Sequence, residues 1–153
     1  NIPQKIEKLV YVSAYLPQNG EDLLSLSKQD AQSKVGGALE FNADYSAAKI
    51  RKDAIVPAVC ADCPPFMQEV LLKYHKEEPA GPLGEKVTLS AAKFGSVPKY
   101  YIHTTQDAAV GYDLQKQMVK ANGAIRKTFE MATSHLPFVV QPQQFLKILE
   151  QCR

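Results

Sequence analysis

The chain has 153 residues, 45% of them hydrophobic and 22% charged, with a formal net charge of +2. That is long enough for one domain with a real core, and so small a net charge argues against nucleic acid or an anionic membrane as partner. No apolar run approaches the roughly 18 residues that span a bilayer, so no membrane attachment is expected.

Residues 6–13 (IEKLVYVS) are rich in β-branched and aromatic side chains and are stopped by Ala14-Tyr15-Leu16-Pro17, the pattern of a buried parallel strand. From Gln18 to Pro98 the α/β rhythm is lost. Residues 21–34 read as a helix with Leu23, Leu24 and Leu26 early, ended by Gly36-Gly37. Residues 38–41 and 54–59 read as short strands. Residues 64–76 read as a second helix, with Phe66, Met67, Val70, Leu71 and Tyr74 on one face. Pro79, Gly81, Pro82 and Gly84 mark a loop, and residues 87–94 fit no single period. Residues 99–104 resume the buried-strand pattern. Residues 111–121 read as a helix with Leu114, Met118 and Val119 inward and Asn122-Gly123 as its stop. Residues 125–131 form a further strand, and 142–152 a closing helix with Pro142 in its first turn. Right-handed crossovers would set the three long strands side by side in one parallel sheet, and the first of them would carry an open pairing edge.

Cys60 and Cys63 form C-A-D-C, and Cys152 stands one residue from the end. A zinc site needs about four ligands, and no second pair accompanies this one. Pro57 and Pro64-Pro65 bracket the motif as a loop rather than as the helix start of a thioredoxin-type site. Reduced thiols in a cytoplasmic protein are therefore expected.

Two residues carry chemistry. Asp107 follows the strand KYYIHTTQ, and His135 follows IRKTFEMATS 28 residues later. A histidine can take a proton from a hydroxyl and return it to a leaving group. A carboxylate on its other nitrogen fixes the tautomer. Ser134 adjoins His135 and its side chain should point elsewhere. His103 inside a strand is read as structural, His75 on the polar side of the second helix as solvated, and Tyr100 and Tyr101 as core.

Three segments resemble the hydroxynitrile lyase and plant methylesterase branch of the α/β-hydrolase superfamily: KIEKLVYVSAYLP, FGSVPKYYIHTTQDAAV, and the stretch through SHLPFVVQPQQFLKIL. DCPPFMQEVLLKYHKEEPAGPL is similar to the family's late lid helix. The resemblance implies an α/β fold, the C-terminal portion of an α/β-hydrolase, with its last three parallel strands and flanking helices plus a mostly helical lid. Residues 1–16 and 95–153 would be core and 17–94 the lid. It implies Asp107 as triad acid, His135 as triad base, and no metal or organic cofactor. The G-x-S-x-G turn that would carry the nucleophile does not occur, and the chain opens on Asn1 rather than Met. An N-terminal part of the same gene product is therefore expected to complete the sheet and the site.

The hydroxynitrile lyases carry a lysine directly after the histidine, where Leu136 stands here. An apolar side chain there favours cleavage of a small ester over cyanide release. Leu23, Leu24, Phe66, Met67, Leu71 and Leu136 are the candidates for lining an acyl pocket. The rival expectation is a non-catalytic remnant that binds a small ligand; a homodimer is compatible with either.

Overall fold

The computed structural model describes residues 2–153. Three strands form one parallel sheet in the order β1 (Leu9–Val12), β5 (Lys99–Thr104), β6 (Ile125–Met131). Every residue of β5 is buried, as a central parallel strand requires. Its two faces feed two cores. Tyr101 joins Leu16, Leu26, Val110, Leu114 and Met118 on one side. Ile102 joins Met131 and Ile148 on the other. Burying each such side chain contributes about 1.5–3 kcal/mol. Lys99, at 0% exposure, buries an ammonium in this strand. Its ammonium donates to the carbonyls of Phe94 and Val97 and lies over the Phe94 ring, and burial lowers its pKa.

Helix α5 (Tyr112–Asn122) makes the crossover from β5 to β6 and ends at Gly123, whose φ of 58° is the left-handed stop anticipated from Asn122-Gly123. A short helix, α6 (Pro137–Val140), precedes the closing helix α7 (Pro142–Leu149). Both open on prolines, which cost nothing at a first turn.

Between β1 and β5 the chain forms α1 (Leu23–Ser27), β2 (Leu39–Phe41), β3 (Ala47–Ile50), α2 (Lys52–Val59), α3 (Pro65–Tyr74), β4 (Glu78–Pro79) and α4 (Gly81–Gly84). Strands β2, β3 and β4 make a small antiparallel sheet, so this region is less purely helical than its composition suggests. Three element readings are corrected. The stretch read as a loop at Pro79, Gly81, Pro82 and Gly84 holds β4 and the short helix α4, which opens with Pro82 in its first turn. Residues 54–59 are helix, not strand: Ile55 and Ala58, three apart, are each 1% exposed. Packing of that face overrides the β-branched composition and the backbone bond that Pro57 cannot make. The helix read over 21–34 stops at Ser27. Asp22 and Ser25 close a capping box at its start, but the Asp30 carboxylate then accepts from the N–H groups of Gln32 and Ser33 and turns the chain out of the helix.

Among the described residues no helix is long and apolar enough to cross a membrane.

Candidate active site

Asp107 and His135 are presented by the loops that leave the C-terminal ends of β5 and β6. These loops are tied to each other before any side chain is considered. Thr105 N–H donates to the Met131 carbonyl at 3.0 Å, and Gln106 N–H donates to the Thr133 carbonyl at 3.1 Å. The parallel ladder thus extends past both strands and sets the two loops in register.

His135 Nδ1 lies 2.9 Å from Asp107 Oδ2. Asp107 is 6% exposed, and its carboxylate accepts four further hydrogen bonds. Oδ2 accepts from Thr104 Oγ1 at 2.7 Å and from Gln115 Nε2 at 3.2 Å, and Oδ1 accepts from the N–H groups of Ala109 at 2.8 Å and Val110 at 3.0 Å. An ionised carboxylate offers only acceptors, which is what five converging donors require. Nδ1 must therefore carry a proton, leaving Nε2 as the nitrogen free to exchange one.

Gln115, 0% exposed on α5, braces the arrangement. Its amide donates to Asp107, to Thr104 Oγ1 and to the Val110 carbonyl, while its oxygen accepts from Thr104 N–H. Eight residues from Asp107 on a helix, Gln115 gave no signal in the sequence. Thr104, three before Asp107, could have been suspected as a partner within the same turn.

Serines next to the histidine serve other partners. Ser13 follows β1 with φ 49° and 1% exposure, and its hydroxyl donates to the His135 carbonyl at 3.0 Å, not to the ring. Ser134 turns away to Asp62, in line with its expected orientation. No hydroxyl among the described residues is hydrogen-bonded to the His135 ring other than through Asp107.

His135 borders a cavity of about 560 Å³, walled by Ser13, Tyr15, Leu23, Leu24 and Val110 among others. Burial, with the Asp30 and Asp107 carboxylates adding to it, pushes the Tyr15 phenol up to about 12, so it faces the cavity as a hydrogen-bond donor. Met67, Leu71 and Leu136 line a neighbouring cavity of about 370 Å³. The two share His75, Lys76 and Glu78 in their walls. Phe66 lines neither and is 63% exposed, so it drops out of the pocket candidates. Its position on α3 lies off the face that turns inward.

The segment that leads from cavity residue Ser27 to cavity residue Val35 is anchored on the acid loop. Asp30 Oδ2 accepts from Gly111 N–H at 2.6 Å, Ser33 Oγ donates to the Ala109 carbonyl at 2.8 Å, and Lys34 N–H donates to the Ala108 carbonyl at 2.8 Å. Gly111 is required by this closeness. A Cβ there would stand 2.4 Å from Asp30 Oδ1 and 2.7 Å from Gln32 Cβ.

Three further readings are settled by position. His103 and both tyrosines are buried as expected. His103 packs between Tyr101 and Tyr112, its Nδ1 has no hydrogen-bond partner among the described residues, and burial lowers its pKa. His75 is not merely solvated: it caps α3 with Nε2 3.0 Å from the Ile50 carbonyl. Cys60 and Cys63 are not reduced thiols but a disulfide, their Cα atoms 5.1 Å apart. The turn after α2 brings the two sulfurs together, which removes the support free thiols lent to a cytoplasmic location. Among the described residues no group of three or more His, Cys, Asp or Glu could hold a metal ion.

No protein-family model matches this sequence. Putative methylesterase 13, chloroplastic, of Arabidopsis thaliana is 30% identical over 156 residues, which cover 96% of this chain and 35% of that protein. Putative methylesterase 11, chloroplastic, of the same plant is 28% identical, covering 96% of this chain and 40% of its own length. The chain thus spans between a third and two fifths of these two relatives. Polyneuridine aldehyde esterase superposes on 98% of this chain with a TM-score of 0.81 and 19% identity, and 63% of that structure is matched.

Proposed function

Because the chain belongs to the α/β-hydrolase superfamily, in the branch of the plant methylesterases, we propose that it carries the acid and base of a serine carboxylesterase acting on a small ester. The observation that carries this reading is the 2.9 Å contact between His135 Nδ1 and the buried Asp107 carboxylate at the mouth of an apolar cavity.

The chemistry follows from the proton inventory. Asp107 holds His135 as the Nδ1–H tautomer, so Nε2 can accept the proton of an attacking serine. The imidazolium that forms faces a carboxylate already fixed by Thr104, Gln115 and two backbone N–H groups, and no reorganisation is needed as charge develops. The same proton then passes to the departing alkoxide.

The nucleophile and the oxyanion hole would come from outside residues 1–153. Among the described residues no strand pairs with the outer edge of β1, which supports this, since parallel sheets are rarely left open on an apolar strand. Residues 17–94 would be the lid and 1–16 with 95–153 the core. Leu23 and Leu24 in the His135 cavity, with Met67, Leu71 and Leu136 next to it, would receive the acyl or alkyl group. Leu136 offers no cation for leaving cyanide, which favours ester cleavage over cyanohydrin lysis. The relatives' names make a methyl ester the substrate to try first.

The test is turnover of p-nitrophenyl acetate and of a panel of methyl esters by the full-length gene product containing this chain. Hydrolysis that vanishes in His135→Ala supports the reading. Ligand binding without turnover, unchanged in His135→Ala, would favour the non-catalytic remnant.

A further inference from the structure

The residue before His135 is held by a ring whose role the reaction leaves open. The Cys60–Cys63 disulfide closes a loop of four residues between α2 and α3, with Ala61 and Asp62 at its tip. The ring is fixed on both sides: Cys63 N–H donates to the Cys60 carbonyl at 3.2 Å, and Gln68 Nε2 donates to the Cys63 carbonyl at 2.9 Å. Cys60 is 0% exposed and Cys63 5%, whereas Asp62 stands at the surface.

From there Asp62 reaches 72 residues along the sequence to Ser134. Its Oδ2 accepts from Ser134 N–H at 2.8 Å, and its Oδ1 accepts from the Ser134 hydroxyl. That hydroxyl also lies 3.3 Å from the Val59 carbonyl. Ser134 is 3% exposed, so water is a poor substitute for either bond. On the far side of the loop, Ser13 Oγ holds the His135 carbonyl at 3.0 Å. The backbone of residues 134–135 is therefore gripped from two directions, with only the ring of His135 left to Asp107.

We propose that Asp62, presented by the Cys60–Cys63 ring, is the positioning residue that holds the His135 loop in register with Asp107. The inference rests on the reading of His135 as the base. A side-chain carboxylate that fixes both the N–H and the hydroxyl of one residue removes the rotational freedom of the peptide leading into the histidine. The disulfide removes the matching freedom of the carboxylate's own loop. Small misplacements of a base are expensive, since displacement by about 1 Å can cost on the order of a hundredfold in rate.

The test compares Asp62→Ala, Asp62→Asn and the double variant Cys60→Ser/Cys63→Ser in the full-length protein. Two readouts are taken: kcat and KM for p-nitrophenyl acetate, and the His135 Nδ1–H proton resonance. Asp62→Ala should lower kcat by roughly ten- to a hundredfold with KM changed less than about twofold, and should broaden the resonance. Asp62→Asn keeps one of the two acceptors and should recover part of the loss, with the double cysteine variant between the two. Should Asp62→Ala not fold, the Asp62→Asn and cysteine variants read the same quantities. Unchanged kcat with an unchanged resonance in Asp62→Ala overturns the proposal while leaving the esterase reading intact. If wild type hydrolyses no ester yet the resonance broadens in Asp62→Ala, the esterase reading fails and the positioning role stands.

Discussion

Replacing Asp107 by asparagine removes one charge and puts an NH₂ where one oxygen stood, and the structure says how each neighbour will respond. The retained oxygen can keep the two backbone N–H groups of Ala109 and Val110. The new NH₂ then faces Thr104, Gln115 and His135. The Thr104 hydroxyl can rotate and accept. Gln115 cannot adapt: turning its amide would break the bonds to the Val110 carbonyl and to Thr104 N–H. One donor is therefore set against another at 3.2 Å, inside a region with 0% exposure at Gln115. His135 can accept at Nδ1 only by moving its proton to Nε2, which leaves no base for a nucleophile. One frustrated buried donor and one charged bond exchanged for a neutral one cost about 2–3 kcal/mol of stability. The wrong tautomer costs about four orders of magnitude in kcat. Urea unfolding and ester hydrolysis of Asp107→Asn measure the two separately. A variant that keeps wild-type turnover, or that unfolds at the wild-type midpoint, refutes the assignment of Gln115 as an immovable donor and of Nδ1 as the protonated nitrogen.

Gly111→Ala would drive a Cβ to 2.4 Å from the Asp30 carboxylate. The segment 30–34 should lift from the acid loop at a cost of about 1–3 kcal/mol, read as a lowered urea midpoint and faster amide exchange at Lys34. His103 gives a pH dependence with a definite sign. Burial holds it below the ordinary 6.5 against an opposing pull from Glu130, so on acidification the unfolded chain takes up its proton first. Stability from neutral His103 is complete above about 6.5 and declines as pH falls through that value. Urea midpoints measured between about pH 5 and pH 8 should fall less steeply in His103→Phe than in wild type; equal slopes would assign the loss to other groups.

Strand β5 and helix α5 were legible because burial and pattern coincide: Tyr100-Tyr101-Ile102 at the centre of a strand buried throughout, Leu114 and Met118 at helical spacing, and a glycine where the left-handed stop falls. The Asp107–His135 pair was legible for the same reason, since its geometry is delivered by two adjacent parallel strands whose order the crossover rule fixes. The region between β1 and β5 was not. Residues 54–59 carry strand-like side chains but fold as α2 because Ile55 and Ala58 find a common core. Residues 47–50 drew no reading, since β3 is held by pairing with the nearby β2 on one side and with β4 further along the chain on the other. The disulfide and the Asp62 contact to Ser134 depend on tertiary approach, which spacing within C-A-D-C could not reveal. Phe66 was misplaced because a helix period shows which residues share a face but not which part of that face a neighbour covers.

The most direct test of the Asp107–His135 pair as the acid and base of an esterase is hydrolysis of p-nitrophenyl acetate by the full-length protein and by its His135→Ala variant at matched stability. Turnover by wild type, falling about a thousandfold or more in the variant, is the expected result. Equal hydrolysis by both proteins, or none by either against a broad ester panel, would contradict it.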